Sequence, residues 1–192
     1  MRLFSRNIHS RIISFSPDGL MLFSGQNNGA IQVWDTTSWR PLREAPGHSK
    51  ALHPGHWLKT RNKYKCIAGF RFSPDGREYL TFSADQTWRR WDIRTDAPLA
   101  VGEVGESFTA IYSPDGGEVV TGTTSGKVQR WDAASGQRVG REEQRRRDGQ
   151  PAGVDALLFL SDGNLMLASQ DGHMDRWTRE AAPPLPEVPL EF

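Results

Sequence analysis

The stretch GTTSGKV at residues 122–128 looks at first like a nucleotide-binding motif, because it combines glycines with a lysine. A P-loop holds phosphates with its backbone N–H groups and lysine, and binds magnesium through a following Ser or Thr. Here the loop is one residue short, and Val128 stands where the magnesium ligand should be. We interpret the stretch as a turn between two strands, with no following helix and no phosphate site.

Three histidines lie close together in GHSKALHPGH and could be metal ligands: His48, His53 and His56. Zinc needs three or four ligands in a closed arrangement, and Cys66 is the single cysteine of the chain. We favour a loop in which one histidine has a structural role, with metal binding as the alternative. We therefore predict no metal and no cofactor.

The basic run REEQRRR at residues 141–147 could be a nucleic-acid contact. Such sites combine positive charge with aromatic side chains that stack on bases, whereas this run contains two acids and no aromatic residue. The net charge of the chain is only +1, which gives no general reason to expect nucleic acid or an anionic membrane as a partner. We predict a solvated loop, with docking to an acidic protein as the alternative.

Motifs of the common catalytic classes do not occur: there is no Gly-x-Ser-x-Gly, no His-Glu-x-x-His, no kinase signature and no paired-cysteine motif. Carboxylates are plentiful, but Asp18, Asp75, Asp115 and Asp162 occupy the same place in four similar segments. An active site needs one special copy rather than four equal ones. We predict that the chain is not an enzyme.

Those four segments are the elements that must position everything else. They read FSPDG at 15–19, FSPDG at 72–76, YSPDG at 112–116 and FLSDG at 159–163. A tryptophan follows each opening aromatic residue after 19 positions, or 18 in the last copy: Trp34, Trp91, Trp131 and Trp177. The copies begin 57, 40 and 47 residues apart, close to the period of about 40–45 residues that is typical of propeller blades.

Each copy predicts three strands joined by two tight turns. Ser-Pro-Asp-Gly suits a type I turn, in which proline presets φ and glycine comes last. A β-prone run follows, and then a second turn with pairs such as Asn28-Gly29 and Asp171-Gly172, which are typical of type I′ hairpins. The third strand ends on the tryptophan, so the sequence predicts an all-β fold.

On these residues, and on the Trp-Asp pairs at 34–35, 91–92 and 131–132, the chain resembles the WD40-repeat family of β-propellers, in the style of bacterial repeats. The resemblance implies four antiparallel strands in each blade and covers about residues 11–178. It implies a propeller region over 1–180, an insertion over 40–65 and a proline-rich tail over 181–192. The four repeat cores are predicted at about 11–35, 68–92, 108–132 and 155–178.

The resemblance also implies a polar tetrad of His, Ser or Thr, Asp and Trp in each blade. The Ser/Thr place holds Ser24, Thr81, Thr121 and Leu167, and the Asp place holds Asn28, Asp85, Ser125 and Asp171. The Gly-His pairs that precede a repeat, Gly47-His48 and Gly55-His56, both lie before the second one, so we expect no repeat to be clearly complete and the propeller to be less rigid. The residues with structural roles are predicted to be Trp34, Trp91, Trp131, Trp177, Asp85 and Asp171.

Four repeats are fewer than the seven that propellers of this family most often have. The chain could therefore be part of a longer protein, an unusually small propeller, or half of a homodimer that completes the ring. Residues 40–65 carry a charge of +6 and residues 148–192 a charge of −6, and their attraction could bring two copies together head to tail.

The predicted function is a non-enzymatic module for protein–protein interaction or scaffolding, with no nucleic acid and no membrane as partner. The alternative is a truncated or regulatory propeller portion of a larger signalling protein, for example a kinase-linked one. Aromatic and arginine side chains are what interfaces favour, so the predicted contacts are Trp39, Trp57, Arg61, Tyr64, Arg145, Arg146 and Arg147. With one cysteine and no long apolar run, the expected location is cytoplasmic.

Overall fold

The computed structural model describes residues 10–26, 28–48, 67–106, 108–169 and 172–178, and within these ranges every regular element is a β-strand. The predicted all-β fold is confirmed. The first sheet contains β1 (Ser10–Phe15), β2 (Met21–Gln26), β3 (Ile31–Asp35) and β4 (Pro41–Ala45). The second sheet contains β5 (Ile67–Phe72), β6 (Glu78–Ser83), β7 (Thr87–Asp92) and β8 (Pro98–Glu103).

The third sheet contains β9 (Phe108–Tyr112), β10 (Glu118–Thr123), β11 (Lys127–Asp132) and β12 (Arg138–Gln144). The short strands β13 (Arg146–Arg147) and β14 (Gln150–Pro151) form a hairpin, and the fourth sheet contains β15 (Ala156–Phe159), β16 (Leu165–Ala168) and β17 (Met174–Trp177). Consecutive strands pair antiparallel in all four sheets. Each sheet is therefore one up-and-down unit, and β4 extends the first sheet into the segment that was expected to be an insertion.

The Ser-Pro-Asp-Gly segments form the predicted turns at one end of the sheets, which we call the first-turn end. The N–H of Gly19 donates to the carbonyl of Ser16 over 2.8 Å, and Gly76 and Gly116 make the same bond at 2.9 Å. The Ser16 hydroxyl donates to the carboxylate of Asp18 over 2.6 Å. Each of these glycines has a positive φ, so a side chain there would be strained.

At the opposite end, which we call the second-turn end, the turns of the second and third sheets do not have the type I′ geometry that Asn28-Gly29 and Asp171-Gly172 predict for this place in the repeat. Type I′ requires positive φ at both central residues, yet in the second and third sheets only Gln86 and Gly126 have it, and not Asp85 or Ser125. Gln86 donates its N–H to Ser83 over 3.0 Å. In each of these turns the fourth residue donates its N–H to the carbonyl of the first, and only the fourth residue is left-handed. Gln86 adopts this conformation although it is not a glycine.

The sheets pack face to face in chain order, and pairing in register places directly opposed residues on one face. We call the face toward the next sheet the forward face and the face toward the preceding sheet the backward face. Three buried clusters join the four sheets. They combine Phe23, Ile31 and Val33 with Phe70, Tyr79 and Trp91; then Leu80, Phe82 and Trp88 with Ala110, Val119 and Trp131; then Ile111, Val120 and Val128 with Leu157, Leu165 and Leu167.

Arginines on the forward faces reinforce these junctions. Arg43 bonds to the carboxylate of Asp96 at 2.5 Å and to the carbonyl of Ile93 at 2.7 Å, both in the second sheet. Arg90 donates to the carbonyl of Ala133 in the third sheet and lies 3.1 Å from Glu78. Arg90, which directly precedes Trp91, therefore helps to join the second and third sheets.

The described sheets do not form a closed ring, because no buried cluster joins the fourth sheet to the first within the described part of the chain. The backward face of the first sheet leaves Ile13 60% and Phe15 52% exposed, and the forward face of the fourth sheet leaves Leu158 62% and Met174 71% exposed. The described sheets form an arc of four propeller blades with an apolar face at each end.

Candidate protein-binding surface

A chain of buried hydrogen bonds links the first sheet to the second and completes a polar tetrad. The indole N–H of Trp91 donates to the hydroxyl of Thr81 over 2.8 Å. Thr81 Oγ1 lies 2.8 Å from His48 Nε2, and His48 Nδ1 lies 3.0 Å from Asp85 Oδ2. The expectation that no repeat would be complete is therefore wrong for the second blade, because Gly47-His48 follows β4 and reaches across the junction.

The electrostatics of this tetrad favour a neutral histidine. Burial lowers the pKa of His48, against the opposing influence of Asp85. Burial alone would raise the pKa of Asp85, but hydrogen bonds from His48 and Thr87 and the nearby Arg89 guanidinium lower it to about 2. A neutral His48 that donates from Nδ1 to Asp85 and accepts at Nε2 from Thr81 satisfies every member of the chain.

This burial predicts a pH dependence of stability. Below the ordinary histidine pKa of 6.5 the unfolded chain binds a proton that the folded His48 does not, so stability rises with pH in that window and is lost as the pH falls through it. We expect a slope from this residue of at most about 1.4 kcal/mol per pH unit. Urea unfolding between about pH 7 and pH 5 measures it.

The matched variants are His48→Gln and His173→Gln, because the side chain of His173 is exposed. We expect His48→Gln to flatten the slope below pH 6.5 and His173→Gln to leave it unchanged. An unchanged slope in His48→Gln would contradict a neutral buried histidine.

The later junctions keep the backbone turn that precedes His48 but use different side chains. After each outer strand the chain turns toward the next sheet by donating an N–H to the left-handed turn residue: His48 to Gly29, Val104 to Gln86, and Arg145 to Gly126. Glu106, two residues after Val104, accepts from the Ser125 hydroxyl over 2.9 Å. The sequence signal that could have identified Glu106 is the Gly105-Glu106 pair, which resembles Gly47-His48.

Arg145 differs from the expectation that it contacts a partner. Its side chain is only 2% exposed and donates to Asp175 of the fourth sheet over 2.6 Å and to the carbonyl of Gly153 over 2.5 Å. Because its guanidinium is enclosed between the third and fourth sheets, it is unavailable to another protein. Arg145 links the third sheet to the fourth, as His48 links the first sheet to the second.

Its neighbours in the basic run do reach solvent. Arg146 is exposed and donates to the carbonyl of Gly149 over 3.0 Å, and Arg147 is half-buried with its Nε 4.0 Å from Asp148. Arg147 lines an open cavity of about 510 Å³ together with Gln150, Asp155 and Ser169. This hairpin lies at the second-turn end of the sheets.

Trp39 lies at the other end, in the turn between β3 and β4, and is 62% exposed. Its φ is +56°, and its N–H donates to Asp35 over 2.9 Å. Asp96 and Gly136 make the same bond in the second and third sheets, also with positive φ. The same sheet has further exposed apolar side chains: Phe15, Leu20 and Leu42.

The remaining predicted residues fall into two groups. Trp57, Arg61, Tyr64 and Asp171 lie outside the described residues, as does the predicted tail 181–192. Trp131 and Trp34 donate to Thr121 and Ser24 over 2.9 and 3.1 Å, whereas Trp177 pairs with Leu165 and packs against the apolar cluster between the third and fourth sheets. The aspartates of the Trp-Asp pairs, Asp35, Asp92 and Asp132, accept from the Ser or Thr three residues later, which lowers their pKa.

The P-loop-like stretch is the hairpin between β10 and β11, and Lys127 lies 3.5 Å from Glu142. A cavity of about 320 Å³ opens between the inner strands and is lined by residues such as Ile12, Arg71, Phe108 and Asp155. No group of three metal-ligating side chains occurs in the described ranges. Nor do these ranges contain a helix long and apolar enough to cross a bilayer.

The family model described as "WD domain, G-beta repeat" matches residues 7–35. Among curated proteins, the COMPASS component SWD1 of Saccharomyces cerevisiae is 31% identical over 86 residues, which are 45% of this chain and 18% of that protein. The U3 small nucleolar RNA-associated protein 15 homolog of Xenopus tropicalis is 32% identical over 80 residues, 42% of this chain and 13% of that protein. The human WD repeat and SOCS box-containing protein 1 is 30% identical over 91 residues, 47% and 18% respectively.

Two computationally designed proteins of known crystal structure have a similar fold. Ika4 superposes with a TM-score of 0.65 over 92% of this chain and 94% of its own, and Ika8 with 0.62 over 86% and 44%. Both are 24% identical to this chain, so they bear on the fold. Residues 7–35 are thus similar to one WD repeat, and the superpositions support a propeller fold for this chain. The bacterial style of the repeats is not confirmed, since the curated relatives named here are eukaryotic, and the chain spans less than a fifth of each.

Proposed function

We propose that this chain is a non-enzymatic propeller module that binds another protein through the exposed surface around Trp39. The observation that carries the proposal is a bulky aromatic residue held in a left-handed backbone conformation with most of its side chain in solvent. Such a conformation costs a non-glycine residue about 1–2 kcal/mol. Strain of this kind is typical of functional sites, where the surrounding structure maintains it.

The comparison with the other blades isolates what is special about Trp39. The same turn position holds Asp96 in the second sheet, where its carboxylate bonds to Arg43 and Tyr79, and Gly136 in the third. Only in the first of these three sheets does the position carry a large apolar side chain. The exposed Leu20 lies close to this turn, since its carbonyl accepts from the N–H of Thr36 over 3.1 Å. Exposed apolar surface of this kind marks interaction sites.

Trp39→Gly removes the side chain proposed to bind the partner without disturbing the fold. Glycine adopts positive φ freely, so we expect the free energy of unfolding to stay within about 1 kcal/mol of the original or to rise. Capture of the partner should fall at least about tenfold, because a central tryptophan of an interface contributes about 2 kcal/mol or more. Immobilised protein, a lysate of the source organism and quantitative mass spectrometry measure the captured amount.

Leu99→Ala is the matched control, because Leu99 is an exposed leucine of the second sheet. A protein whose capture is lost with Trp39→Gly and kept with Leu99→Ala is the specific partner. Equal capture by both variants would contradict a binding role for Trp39.

The relatives support an interaction role, since the name of SWD1 describes a component of COMPASS and that of the Xenopus homolog an association with the U3 small nucleolar RNA. A protein rather than a nucleic-acid partner is supported by the charges of the described residues. Most of the arginines of the four sheets face an acidic side chain: Arg43, Arg77, Arg89, Arg90, Arg130, Arg145, Arg147 and Arg176. We also propose a cytoplasmic location, on the single cysteine of the chain.

A second candidate is a regulatory propeller portion of a larger multi-domain protein, for example a kinase-linked one. It is supported by the small share of each relative that the chain covers. An antibody against this chain, used on a lysate of the source organism, should then detect a protein well above 21.6 kDa. A band at 21.6 kDa would favour the free-standing module.

A further inference from the structure

The two end faces of the arc are built like the faces that pack together inside it. Register places Phe15, Leu22 and Trp34 in one row on the backward face of the first sheet. The same row of the second sheet is Phe72, Tyr79 and Trp91, which packs on the first sheet. Yet Phe15 is exposed, and Leu22 and Trp34 are only half-buried. Among the described strands, none packs on the backward face of the first sheet.

The fourth sheet presents the complementary surface. Its forward face carries the row Leu158, Met166 and Arg176 and, one pair further along, Ala168 opposite Met174. The equivalent row of the third sheet, Ile111, Val120 and Arg130, packs on the fourth sheet through its two apolar members. Leu158 and Met174 remain exposed.

The internal junctions predict which residues would meet. Phe23, on the forward face of the first sheet, lies with its ring centroid 5.3 Å from Phe72 and 5.0 Å from Tyr79. The residue equivalent to Phe23 in the fourth sheet is Met166. The equivalents of Phe72 and Tyr79 in the first sheet are Phe15 and Leu22.

We propose that the forward face of the fourth sheet packs on the backward face of the first sheet of a second copy of this chain. Two such junctions, related by a two-fold axis, close a ring of eight sheets. Every junction within the chain already has this forward-to-backward order, so the new one repeats an interface that the protein forms three times. Closed propellers have about four to eight blades, so two copies complete the ring and a third does not fit.

The salt dependence of the dimer distinguishes a junction between these faces from association through charge. The proposed junction is apolar, so raising the salt concentration should leave it intact. Attraction between the basic segment 40–65 and the acidic segment 148–192 would instead be screened by salt. A dimer that dissociates in about 1 M salt overturns the proposed junction.

The first test is the solution mass, by light scattering coupled to size exclusion. We expect twice 21.6 kDa for the original chain in low and high salt. Leu158→Glu should give a folded monomer, because it places a charge in the junction. Leu99→Glu is the matched control, since Leu99 is an exposed leucine on the outer strand β8 of the second sheet, and it should remain a dimer. A monomeric original chain overturns the proposal, as does a dimer that Leu158→Glu leaves intact.

The second test places the contact. In a Cys66→Ser background, one preparation carries Phe15→Cys and the other Met166→Cys, and a short bifunctional maleimide is added to each alone and to their mixture. We expect a crosslinked dimer in the mixture and little in either preparation alone. No enrichment in the mixture overturns the assignment of these two faces.

This inference rests on the propeller architecture of the proposed function but not on its binding residue. Trp39 lies in a turn outside the two rows, so Trp39→Gly should leave the dimer mass unchanged. A monomer that still captures its partner through Trp39 overturns the ring and leaves the proposed function standing. A dimer that captures its partner independently of Trp39 overturns the proposed function and leaves the ring standing.

Discussion

Trp91→Ala is expected to lower the free energy of unfolding by about 3–5 kcal/mol, the cost typical of deleting a large buried aromatic side chain. Trp91 is buried in the junction between the first and second sheets, where its ring stacks on Tyr79 with centroids 6.3 Å apart. Its removal also takes away the N–H that Thr81 accepts in the tetrad. A loss of this size is a large part of the roughly 5–15 kcal/mol that stabilises a domain. Urea unfolding followed by circular dichroism measures it.

Trp39→Ala is the control of the same residue type. Its side chain is exposed, so we expect a change of less than about 1 kcal/mol. Equal losses in the two variants would mean that the packing between the sheets does not stabilise the chain as described.

His48→Ala is expected to cost about 1–3 kcal/mol, because it leaves the buried hydroxyl of Thr81 without its acceptor and removes one of the donors to Asp85. Thr81 would lose the acceptor for its hydroxyl, and Asp85 would lose the N–H donated by the imidazole. The junction between the first two sheets should then open at a lower urea concentration than the rest. Amide hydrogen exchange, which reports local opening, should show the largest increase in β5 and β6.

The matched control is Glu106→Ala, which changes the side chain that reaches across the next junction. Glu106 is 27% exposed and bonds to Ser125, so water can replace its contacts, and we expect a loss of no more than about 1 kcal/mol. If Glu106→Ala lowered the free energy of unfolding as much as His48→Ala, the complete tetrad would not stabilise its junction more than an exposed contact does.

The sequence predicted the strands and first turns well because their residues act locally. Proline at 17, 74 and 114 presets φ, and a glycine two positions later accepts the positive φ that ends the turn. Successive side chains of a strand point to opposite faces, so the apolar runs in β2, β6 and β10 place apolar side chains on both faces. A sheet packed between two neighbours requires this. These signals need no knowledge of the rest of the chain.

The candidate site was harder to predict because it depends on contacts between sheets. Nothing local distinguishes Arg145 from Arg146, yet one is enclosed by Asp175 and Gly153 and the other is exposed. The role of His48 depends on a partner 37 residues away. The left-handed conformation of Trp39 likewise follows from the turn that Asp35 organises, since tryptophan has no preference for it.

Photo-crosslinking from position 39 tests the central claim, that this propeller binds another protein at the Trp39 surface, most directly. A photoreactive phenylalanine analogue replaces Trp39 in one preparation and Leu99 in another, and both are irradiated in a lysate of the source organism. We predict that position 39 gives one dominant crosslinked protein, that excess original chain competes it away, and that position 99 does not give it. No specific product at position 39, or the same products at both positions, would contradict the claim.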